Sequence, residues 1–288
     1  MKNIKRRALV LGVGGFRGSY DAGVLVELLQ VFGPDYFQEV FTVSVGTYNG
    51  SLYVAGQAEV MEDVWKNHVH GNLMLNYFNF LRGRPILSID YLTGVFQSPG
   101  TALDISKLLR STTKIWYSVT DAITTEPSYM LPEPGLVFRQ MQASSALPLI
   151  HGPVWLHGKL YADWATIRMP LPLERALAGN FDEIIAVYNK PYGSHLWEKD
   201  KSPELSFLRH ITPILPKYCA PLGWPQEKLN QGLNRVEEIF SSRREVLVIR
   251  PQKELPLQSF LDTNREHLVS SFEIGREDGK RFIQNYTQ

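Results

Sequence analysis

The chain has 288 residues, of which 44% are hydrophobic and 20% are charged, and its formal net charge is +1. This length and composition fit one α/β domain with a large buried core, so we expect residues 1–288 to form a single domain. Because the charge is nearly balanced and no basic block is longer than Lys5-Arg6-Arg7, nucleic acid is not an expected partner.

The single cysteine, Cys219, excludes an intramolecular disulfide framework and a cysteine-based metal site. No apolar run is long enough to cross a bilayer, and the basic N-terminus is followed by a short apolar run without a cleavage site. We therefore expect a cytoplasmic protein with no transmembrane segment. We expect neither a cofactor nor a bound metal, since His68 and His70 lack a matching set of carboxylates.

The first predicted elements are an apolar strand over residues 8–11 and a helix over residues 18–32, joined by a turn rich in glycine. This order also begins a dinucleotide-binding fold, in which the turn holds a pyrophosphate. That fold needs an acidic residue at the end of the second strand to hold the ribose. The second predicted strand, residues 40–43, ends instead at Ser44, so the ribose carboxylate is missing.

Ser44 lies in Thr42-Val43-Ser44-Val45-Gly46, a near match to the G-x-S-x-G elbow that presents a nucleophilic serine between a strand and a helix. The elbow needs small residues two positions either side of the serine, because the turn is strained and the neighbouring backbone is close. Gly46 meets this requirement and Thr42 does not. A serine after a strand is also an ordinary helix N-cap, so this motif needs support from others.

The segment over residues 72–81 is rich in leucine, methionine and aromatic residues, and it follows a predicted helix over residues 59–68. It has two interpretations, a lid or membrane-facing patch near a lipid site, or part of the buried core. We favour the buried core, because apolar stripes are usually buried.

The remaining pattern alternates strands and helices, and therefore predicts an α/β fold. Residues 190–225 are punctuated by prolines and give no clear prediction. The predicted elements are strands over 114–120, 128–131, 183–187 and 245–249, a hairpin over 154–162, and helices over 103–110, 138–147, 171–179, 226–241 and 264–284.

Four motifs, taken in their order and spacing, resemble the patatin-like phospholipase family. They are Gly14-Gly15-Phe16-Arg17-Gly18, Ser44 in its elbow, Ala143-Ser144-Ser145-Ala146-Leu147-Pro148, and Lys159-Leu160-Tyr161-Ala162-Asp163. The resemblance covers nearly the whole chain. It implies a three-layer α/β/α sandwich with a mostly parallel central sheet, on which a C-terminal strand and helix from about residue 226 to residue 288 are packed.

The resemblance also implies a serine acyl hydrolase of the phospholipase A or lysophospholipase type, which uses a Ser-Asp dyad without histidine. Carried over by position, Ser44 is the nucleophile and Asp163 is the base. The N–H groups of Gly14 and Gly15 form the oxyanion hole, and Arg17 helps to fix the loop. The implied partner is a lipid or fatty-acyl ester, with peripheral membrane contact left open.

A two-member site makes a definite geometric demand. A serine hydroxyl is a poor nucleophile unless an adjacent group takes its proton. Asp163 must therefore lie within hydrogen-bond reach of Ser44 and be partly desolvated, which raises its basicity.

Three residues depart from the family pattern at glycine positions, namely Val13, Thr42 and Trp164. They leave two alternatives open, a site reshaped for a particular acyl chain or a catalytically weakened lipid-binding or interaction module. A Ser-His-Asp hydrolase with His195 or His210 as the third member is a further alternative.

Overall fold

The computed structural model describes residues 5–148, 150–165, 170–193, 217–223 and 226–288. Six strands in this part of the chain form one sheet in the order β4-β3-β2-β1-β7-β8, and all neighbours are parallel except β3 and β4. A hairpin of β5 and β6 forms a second, two-stranded sheet. The strands are β1 Arg7–Leu11, β2 Glu39–Val43, β3 Lys114–Thr120, β4 Pro127–Met130, β5 Val154–Leu156, β6 Lys159–Tyr161, β7 Glu183–Val187 and β8 Val246–Ile249.

The α-helices lie between these strands and after the last one. They are α1 Gly18–Phe32, α2 Val45–Val54, α3 Ala58–Asp63, α4 Ile89–Val95, α5 Ile105–Arg110, α6 Val137–Ser145, α7 Leu173–Leu177, α8 Gln226–Ser242 and α9 Arg265–Tyr286. One turn of π-helix, Val64–His68, extends α3, and short 3₁₀ turns cover Gly15–Arg17, Gly71–Leu73, Tyr77–Arg82 and Lys217–Gly223.

Helices cover both faces of the central sheet. Alternate residues of β1 point to opposite faces, so Leu9 and Leu11 pack against α1 and α2, whereas Ala8 and Val10 pack against α7 and α8. All four side chains are fully buried, as expected for a central parallel strand. The predicted three-layer α/β/α sandwich with a mostly parallel sheet is confirmed.

The C-terminal residues pack on the rest of the chain chiefly through one strand and one helix. Strand β8 pairs in parallel with β7, and helix α9 lies along α1. The two helices approach closely because Gly23 and Gly275 face the partner backbone, where any side chain would collide with a carbonyl. At the same contact, Tyr20 donates a 3.0 Å hydrogen bond to Asp278, and both residues are buried.

The carboxyl ends of the parallel strands gather the predicted site residues at one edge of the sheet. The glycine turn follows β1 and Ser44 follows β2, so the two turns are neighbours. The β5–β6 hairpin is tied to the end of β3, since the N–H of Ala162 donates a 3.0 Å bond to the carbonyl of Thr120. Asp163 follows that hairpin and therefore reaches the same edge.

The segment over residues 72–81 does not lie wholly in the core, so the interpretation that we favoured is wrong for most of it. Met74 and Leu75 are buried, but Leu73, Phe78 and Leu81 are exposed. The reason is that the segment forms a short loop with 3₁₀ turns, in which successive apolar side chains cannot all face one core. Helix α4, which follows this loop, had no counterpart among the predicted elements.

Among the described helices, none combines the length and apolar character needed to cross a bilayer. Most of residues 190–225, the segment without a clear prediction, lies outside the described ranges, as do His195 and His210.

Candidate active site

Ser44 occupies a sharp turn between β2 and α2. Its backbone has φ 55° and ψ −130°, a conformation that a residue with a side chain rarely adopts. Three hydrogen bonds hold it there: its N–H donates to Ser144 Oγ at 2.9 Å, and its carbonyl accepts from Thr47 Oγ1 at 2.6 Å and from the Thr47 N–H at 2.9 Å. A strained serine at the end of a central strand is the geometry of a nucleophile elbow.

The two positions that flank the elbow explain which side chains it tolerates. A side chain on Gly46 would come within 3.0 Å of the carbonyl oxygens of Leu11 and Gly12, so this position requires glycine. Thr42 is fully buried, and its hydroxyl donates a 2.9 Å bond to the carbonyl of Trp116 on β3. Its methyl group faces Gly50, which has no side chain to compete for that space. The Thr42 side chain therefore fits here, because its hydroxyl is paired within the sheet and its methyl group packs against α2.

Asp163 is brought to Ser44 from a distant part of the sequence. Its N–H donates a 2.8 Å bond to the carbonyl of Ala146, just after α6, which fixes the backbone at the end of the hairpin. Its side chain accepts a 3.2 Å bond from the N–H of Ala165, and interaction with the Ser44 side chain lowers the pKa of its carboxyl. The structure therefore places the two predicted dyad residues beside the same cavity, close enough to interact.

The environment of Asp163 makes its carboxylate more basic than usual. The residue is only 4% exposed, and removal from water disfavours the charged form. Burial raises the pKa of Asp163 to about 6, although the hydrogen bonds from Ser44 and Ala165 act in the opposite direction. A carboxyl group with this pKa can exchange a proton close to neutral pH.

Trp164, the third departure from the family pattern, lies against the base without blocking it. Its ring is buried against Ala122 and Ala162, and its Nε1 donates a 3.0 Å bond to the carbonyl of Tyr218. The ring also forms part of the wall of the cavity beside Ser44. Trp164 therefore shapes this end of the site and leaves the contact between Asp163 and Ser44 in place.

The glycine turn after β1 contributes Gly14 and Gly15 to the lining of the same cavity. No acceptor within the described ranges pairs with the N–H of Gly14 or Gly15, whereas the N–H of Phe16 donates to the carbonyl of Phe260 at 2.9 Å. Gly15 has φ 55°, and a side chain there would collide with that Phe260 carbonyl. The turn is therefore held by Phe260 and leaves two donors unused beside Ser44.

Arg17 lies at the end of this turn and lines the cavity. In the part of the chain that the structure describes, its Nε atom is buried without a hydrogen-bond partner. Its backbone N–H closes the turn by donating a 3.0 Å bond to the carbonyl of Gly14.

Two residues that support the site were not identified from the sequence. Ser144 anchors the backbone of Ser44, as described above. Asn189 holds the glycine turn from the other side: its Nδ2 donates to the carbonyl of Val13 at 3.1 Å and to the buried carboxylate of Asp21 at 2.8 Å. The sequence signal for Asn189 was its position just after β7, which pairs with β1. It therefore lies at the carboxyl edge of the parallel sheet, where binding sites usually form.

A cavity of about 160 Å³ opens beside the Ser44 hydroxyl. Its wall is formed mainly by apolar side chains from α2, the π-helical turn, the loop before α4, and α4 itself. These include Val45, Trp65, Met74, Leu87, Ile89, Leu92 and Phe96. Such a lining suits a hydrocarbon chain better than a charged or sugar ligand.

None of the cavity-lining residues in the described ranges is a histidine. The Ser-His-Asp alternative depends on His195 or His210, which lie outside those ranges. Within the same ranges, no group of three acidic, histidine or cysteine side chains is arranged to hold a metal ion.

The strained turn at Ser44, the buried carboxylate of Asp163 and the apolar cavity lie together at the carboxyl edge of a mostly parallel α/β sheet. The chain belongs to the patatin-like phospholipase family, whose family model matches residues 9–177. This membership supports a lipid hydrolase function. The chain is also 26% identical to the Escherichia coli K12 protein YjjU, which is described as uncharacterized; the match covers 96% of this chain and 77% of YjjU.

Two solved structures have similar folds. VipD from Legionella pneumophila aligns with a TM-score of 0.44 and 10% identity, over 98% of this chain and 67% of VipD. Human GIVD cytosolic phospholipase A2, in complex with methyl γ-linolenyl fluorophosphonate, aligns with a TM-score of 0.47 and 12% identity. That alignment covers 98% of this chain and 58% of the human protein.

Proposed function

We propose that this protein is a serine acyl hydrolase in which Ser44 is the nucleophile and Asp163 is the general base. One observation carries the proposal: the side chains of Ser44 and Asp163 line the same cavity and interact, and burial raises the pKa of the Asp163 carboxyl to about 6. A base in contact with the hydroxyl is what an ordinary serine lacks.

In the first half of the reaction, the Asp163 carboxylate takes the hydroxyl proton while Ser44 Oγ attacks the ester carbonyl carbon. The N–H groups of Gly14 and Gly15 stabilise the oxyanion that forms, helped by the positive end of the α1 dipole. When the tetrahedral intermediate collapses, the alcohol leaves with the proton from Asp163 and the acyl group stays on Ser44. Arg17 stands beside this site and is proposed to help fix the turn.

In the second half, water replaces the alcohol. Asp163 takes a proton from the water, whose oxygen attacks the acyl-enzyme carbonyl, and the same N–H groups stabilise the second oxyanion. Collapse of this intermediate releases the carboxylic acid, and the proton returns from Asp163 to Ser44 Oγ. One ester bond and one water molecule are consumed, and no cofactor or metal is required.

The apolar cavity supports a fatty-acyl ester of a lipid as the substrate class, of the phospholipase A or lysophospholipase type. Such substrates are held in membranes or micelles, so we propose peripheral contact with a lipid surface. We further propose that residues 1–288 act as one domain, and that the protein works in the cytoplasm, since its single cysteine suits a reducing compartment.

The test is covalent labelling by a fluorophosphonate probe followed by peptide mapping. We expect the wild-type protein to be labelled at Ser44 and to hydrolyse p-nitrophenyl butyrate. Ser44→Ala should abolish both the labelling and the hydrolysis, and Asp163→Asn should lower the rates of labelling and hydrolysis by about 10³-fold or more. The matched control is Ser145→Ala, because Ser145 also lines the cavity but its Oγ donates to the Met141 carbonyl within α6.

The competing function is a lipid-binding or interaction module that has kept the fold. A folded wild-type protein that binds lipid but is not labelled at Ser44, and that hydrolyses no ester, would establish this module instead. Labelling of Ser145 rather than Ser44 would contradict the proposed dyad.

A further inference from the structure

The loop between the π-helical turn and α4, residues 71–87, is closed at its base and projects from the wall of the cavity. The N–H of Asn76 donates to the carbonyl of Ile86 at 2.9 Å, and the N–H of Ser88 donates to the carbonyl of Met74 at 2.9 Å. Leu75 and Leu87 pair as an isolated antiparallel bridge at the same place. The base is thereby fixed, and the residues between form a tip.

The base of this loop is part of the cavity. Met74 is buried, and both Met74 and Leu87 line the space beside Ser44. The N–H of Leu87 also donates a 3.2 Å bond to the carbonyl of Ile150, which lines the cavity too. The loop therefore has an inner end that contacts the candidate acyl site.

The tip of the same loop exposes large apolar side chains. Phe78 is 71% exposed and Leu81 is 80% exposed, and Leu73, just before the base, is 67% exposed. The turn Tyr77–Arg82 is a 3₁₀-helix, in which residues three apart lie on the same side, so Phe78 and Leu81 project together. Exposed large apolar side chains that cluster mark an interaction site, whereas single ones are ordinary.

The charge of the loop indicates what it contacts. Residues 71–87 contain Arg82 and Arg84 but no aspartate or glutamate, although the whole chain is nearly neutral. Both arginines are exposed, and neither forms an ion pair with another described residue. Apolar tips combined with unneutralised arginines are complementary to a surface of hydrocarbon beneath anionic head groups.

We propose that this loop docks the protein onto an anionic lipid surface, with Phe78 and Leu81 entering the acyl region and Arg82 and Arg84 contacting the head groups. The purpose of this docking rests on the proposed hydrolase function, because docking would place the mouth of the cavity against the lipid that contains the substrate. An acyl chain can then pass from the bilayer to Met74 and Leu87 without exposure to bulk water.

Binding is measured separately from hydrolysis, in the Ser44→Ala background, by co-sedimentation with sucrose-loaded vesicles. The vesicles contain phosphatidylcholine alone or an equimolar mixture of phosphatidylcholine and phosphatidylglycerol. We expect the parent protein to bind the mixed vesicles and Phe78→Ser/Leu81→Ser to bind them about 10-fold or more weakly. Arg82→Gln/Arg84→Gln should lose about 10-fold on the mixed vesicles and little on the neutral ones.

The matched controls carry the same changes at the opposite edge of the sheet. Helix α1 ends before β2 and α5 ends before β3, so their ends lie at the amino ends of the parallel strands, away from Ser44. Val31 and Leu109 are exposed there, as are Arg110 and Lys114. We expect Val31→Ser/Leu109→Ser and Arg110→Gln/Lys114→Gln to bind vesicles like the parent protein.

With Ser44 present, the two loop variants should keep their activity on soluble p-nitrophenyl butyrate and lose activity on vesicle phospholipid. Thermal unfolding of each variant checks that the fold is retained. Failure of the wild-type protein to hydrolyse any ester, with vesicle binding that still depends on the loop, would remove the hydrolase function and leave the docking surface established.

Three results would overturn the docking surface. The first is that the parent protein fails to bind mixed vesicles, and the second is that both loop variants bind them as tightly as the parent does. Alternatively, sedimentation equilibrium shows that the parent self-associates and that Phe78→Ser/Leu81→Ser is monomeric, which would make the loop a contact between two copies of the chain.

Discussion

The backbone N–H of Ser44 donates a 2.9 Å hydrogen bond to the side chain of Ser144, 100 residues further along the chain. Ser144 is itself fixed, because its hydroxyl donates a 2.6 Å bond to the carbonyl of Ser118 on β3. The strained backbone at Ser44 is therefore tied to both α6 and the central sheet. A backbone conformation of this kind costs about 1–3 kcal/mol and persists only when its surroundings enforce it.

Ser144→Ala should weaken catalysis by loosening this tie. We expect kcat for p-nitrophenyl butyrate to fall about 10-fold with a smaller change in KM, because a misplacement of the nucleophile costs more in the transition state than in binding. The free energy of unfolding should fall by about 1–3 kcal/mol, since the Ser44 N–H is left buried without an acceptor. Steady-state kinetics and urea denaturation measure the two effects.

Ser51→Ala is the matched control for this change. Ser51 is also a fully buried serine with two hydrogen bonds, to the Thr47 carbonyl at 2.6 Å and to the Tyr117 hydroxyl at 2.7 Å. It lies further along α2 and does not contact Ser44. It should lose stability like Ser144→Ala but keep kcat; an equal loss of kcat in both variants would contradict a specific role for Ser144.

The sequence allowed Ser44, Asp163 and the glycine turn to be selected because each belongs to a local motif. The strand pattern likewise predicted β1, β2, β3 and β7 to within one residue, from apolar runs such as that of β7 and, for β3, from alternation. The contact between Ser44 and Asp163 was an inference from the resemblance, because residues 119 positions apart meet only through the packing of a hairpin onto β3.

Ser144, Asn189 and Phe260 could not be assigned in the same way. Each supports the site through hydrogen bonds across a long separation in sequence, and neither residue type nor, for Ser144, the motif that contains it signals such a role. The loop that contains Phe78 and Leu81 was misjudged for a related reason. Composition alone does not distinguish an apolar segment buried in the core from one that faces a cavity on one side and solvent on the other.

The activity should depend on pH through Asp163. The base must be ionised to accept the Ser44 proton, and burial raises its pKa to about 6. We therefore expect kcat/KM to be low at pH 5, to rise with pH to a plateau above about pH 7, and to follow a single ionisation. Rates with p-nitrophenyl butyrate between pH 4.5 and 8 test this; a flat profile over that range would rule out Asp163 as the base.

The stability of Asp163→Asn should also depend on pH. Because the pKa of Asp163 in the folded protein is raised above its unfolded value, its contribution to stability is fully present at low pH and is lost as pH rises through about 6. The amide cannot ionise and does not incur that loss.

We expect the variant to gain stability relative to wild type by up to roughly 3 kcal/mol between pH 4 and pH 8. Urea denaturation at both pH values measures this difference in stability. Asp121→Asn is the control, because the pKa of Asp121 is lowered. Hydrogen bonds from backbone and side-chain groups of the following turn outweigh the desolvation of its carboxyl. If the stability difference between the variant and wild type is the same at both pH values, Asp163 is not desolvated.

Gly15→Ala should disturb the two unused N–H donors. Gly15 has φ 55°, and an added methyl group would collide with the carbonyl of Phe260 that holds the turn. We expect kcat to fall by about 10²-fold, the usual effect of losing one oxyanion donor. Gly158→Ala separates strain from collision, because Gly158 has φ 74° but no atom within 4 Å of an added side chain. It should cost about 1 kcal/mol of stability and leave kcat unchanged.

Thr42→Gly tests whether the departure from the elbow pattern weakens catalysis. In the structure, the Thr42 hydroxyl is paired with the carbonyl of Trp116 and its methyl group faces Gly50, so the side chain is directed away from the strained turn. We expect the glycine variant to lose about 2–3 kcal/mol of stability, through the lost contacts and the added freedom of the unfolded chain, without any gain in kcat.

Thr42→Val serves as the control for shape. It keeps the buried volume but removes the hydrogen bond, and should cost about 1 kcal/mol with kcat unchanged. If Thr42→Gly instead raised kcat several-fold, the threonine would be restraining the elbow, and the chain would be a hydrolase whose activity is limited at this residue. Because Ser144 and Thr47 already fix the backbone of Ser44 on both sides, we expect the elbow geometry to be the same in all three proteins.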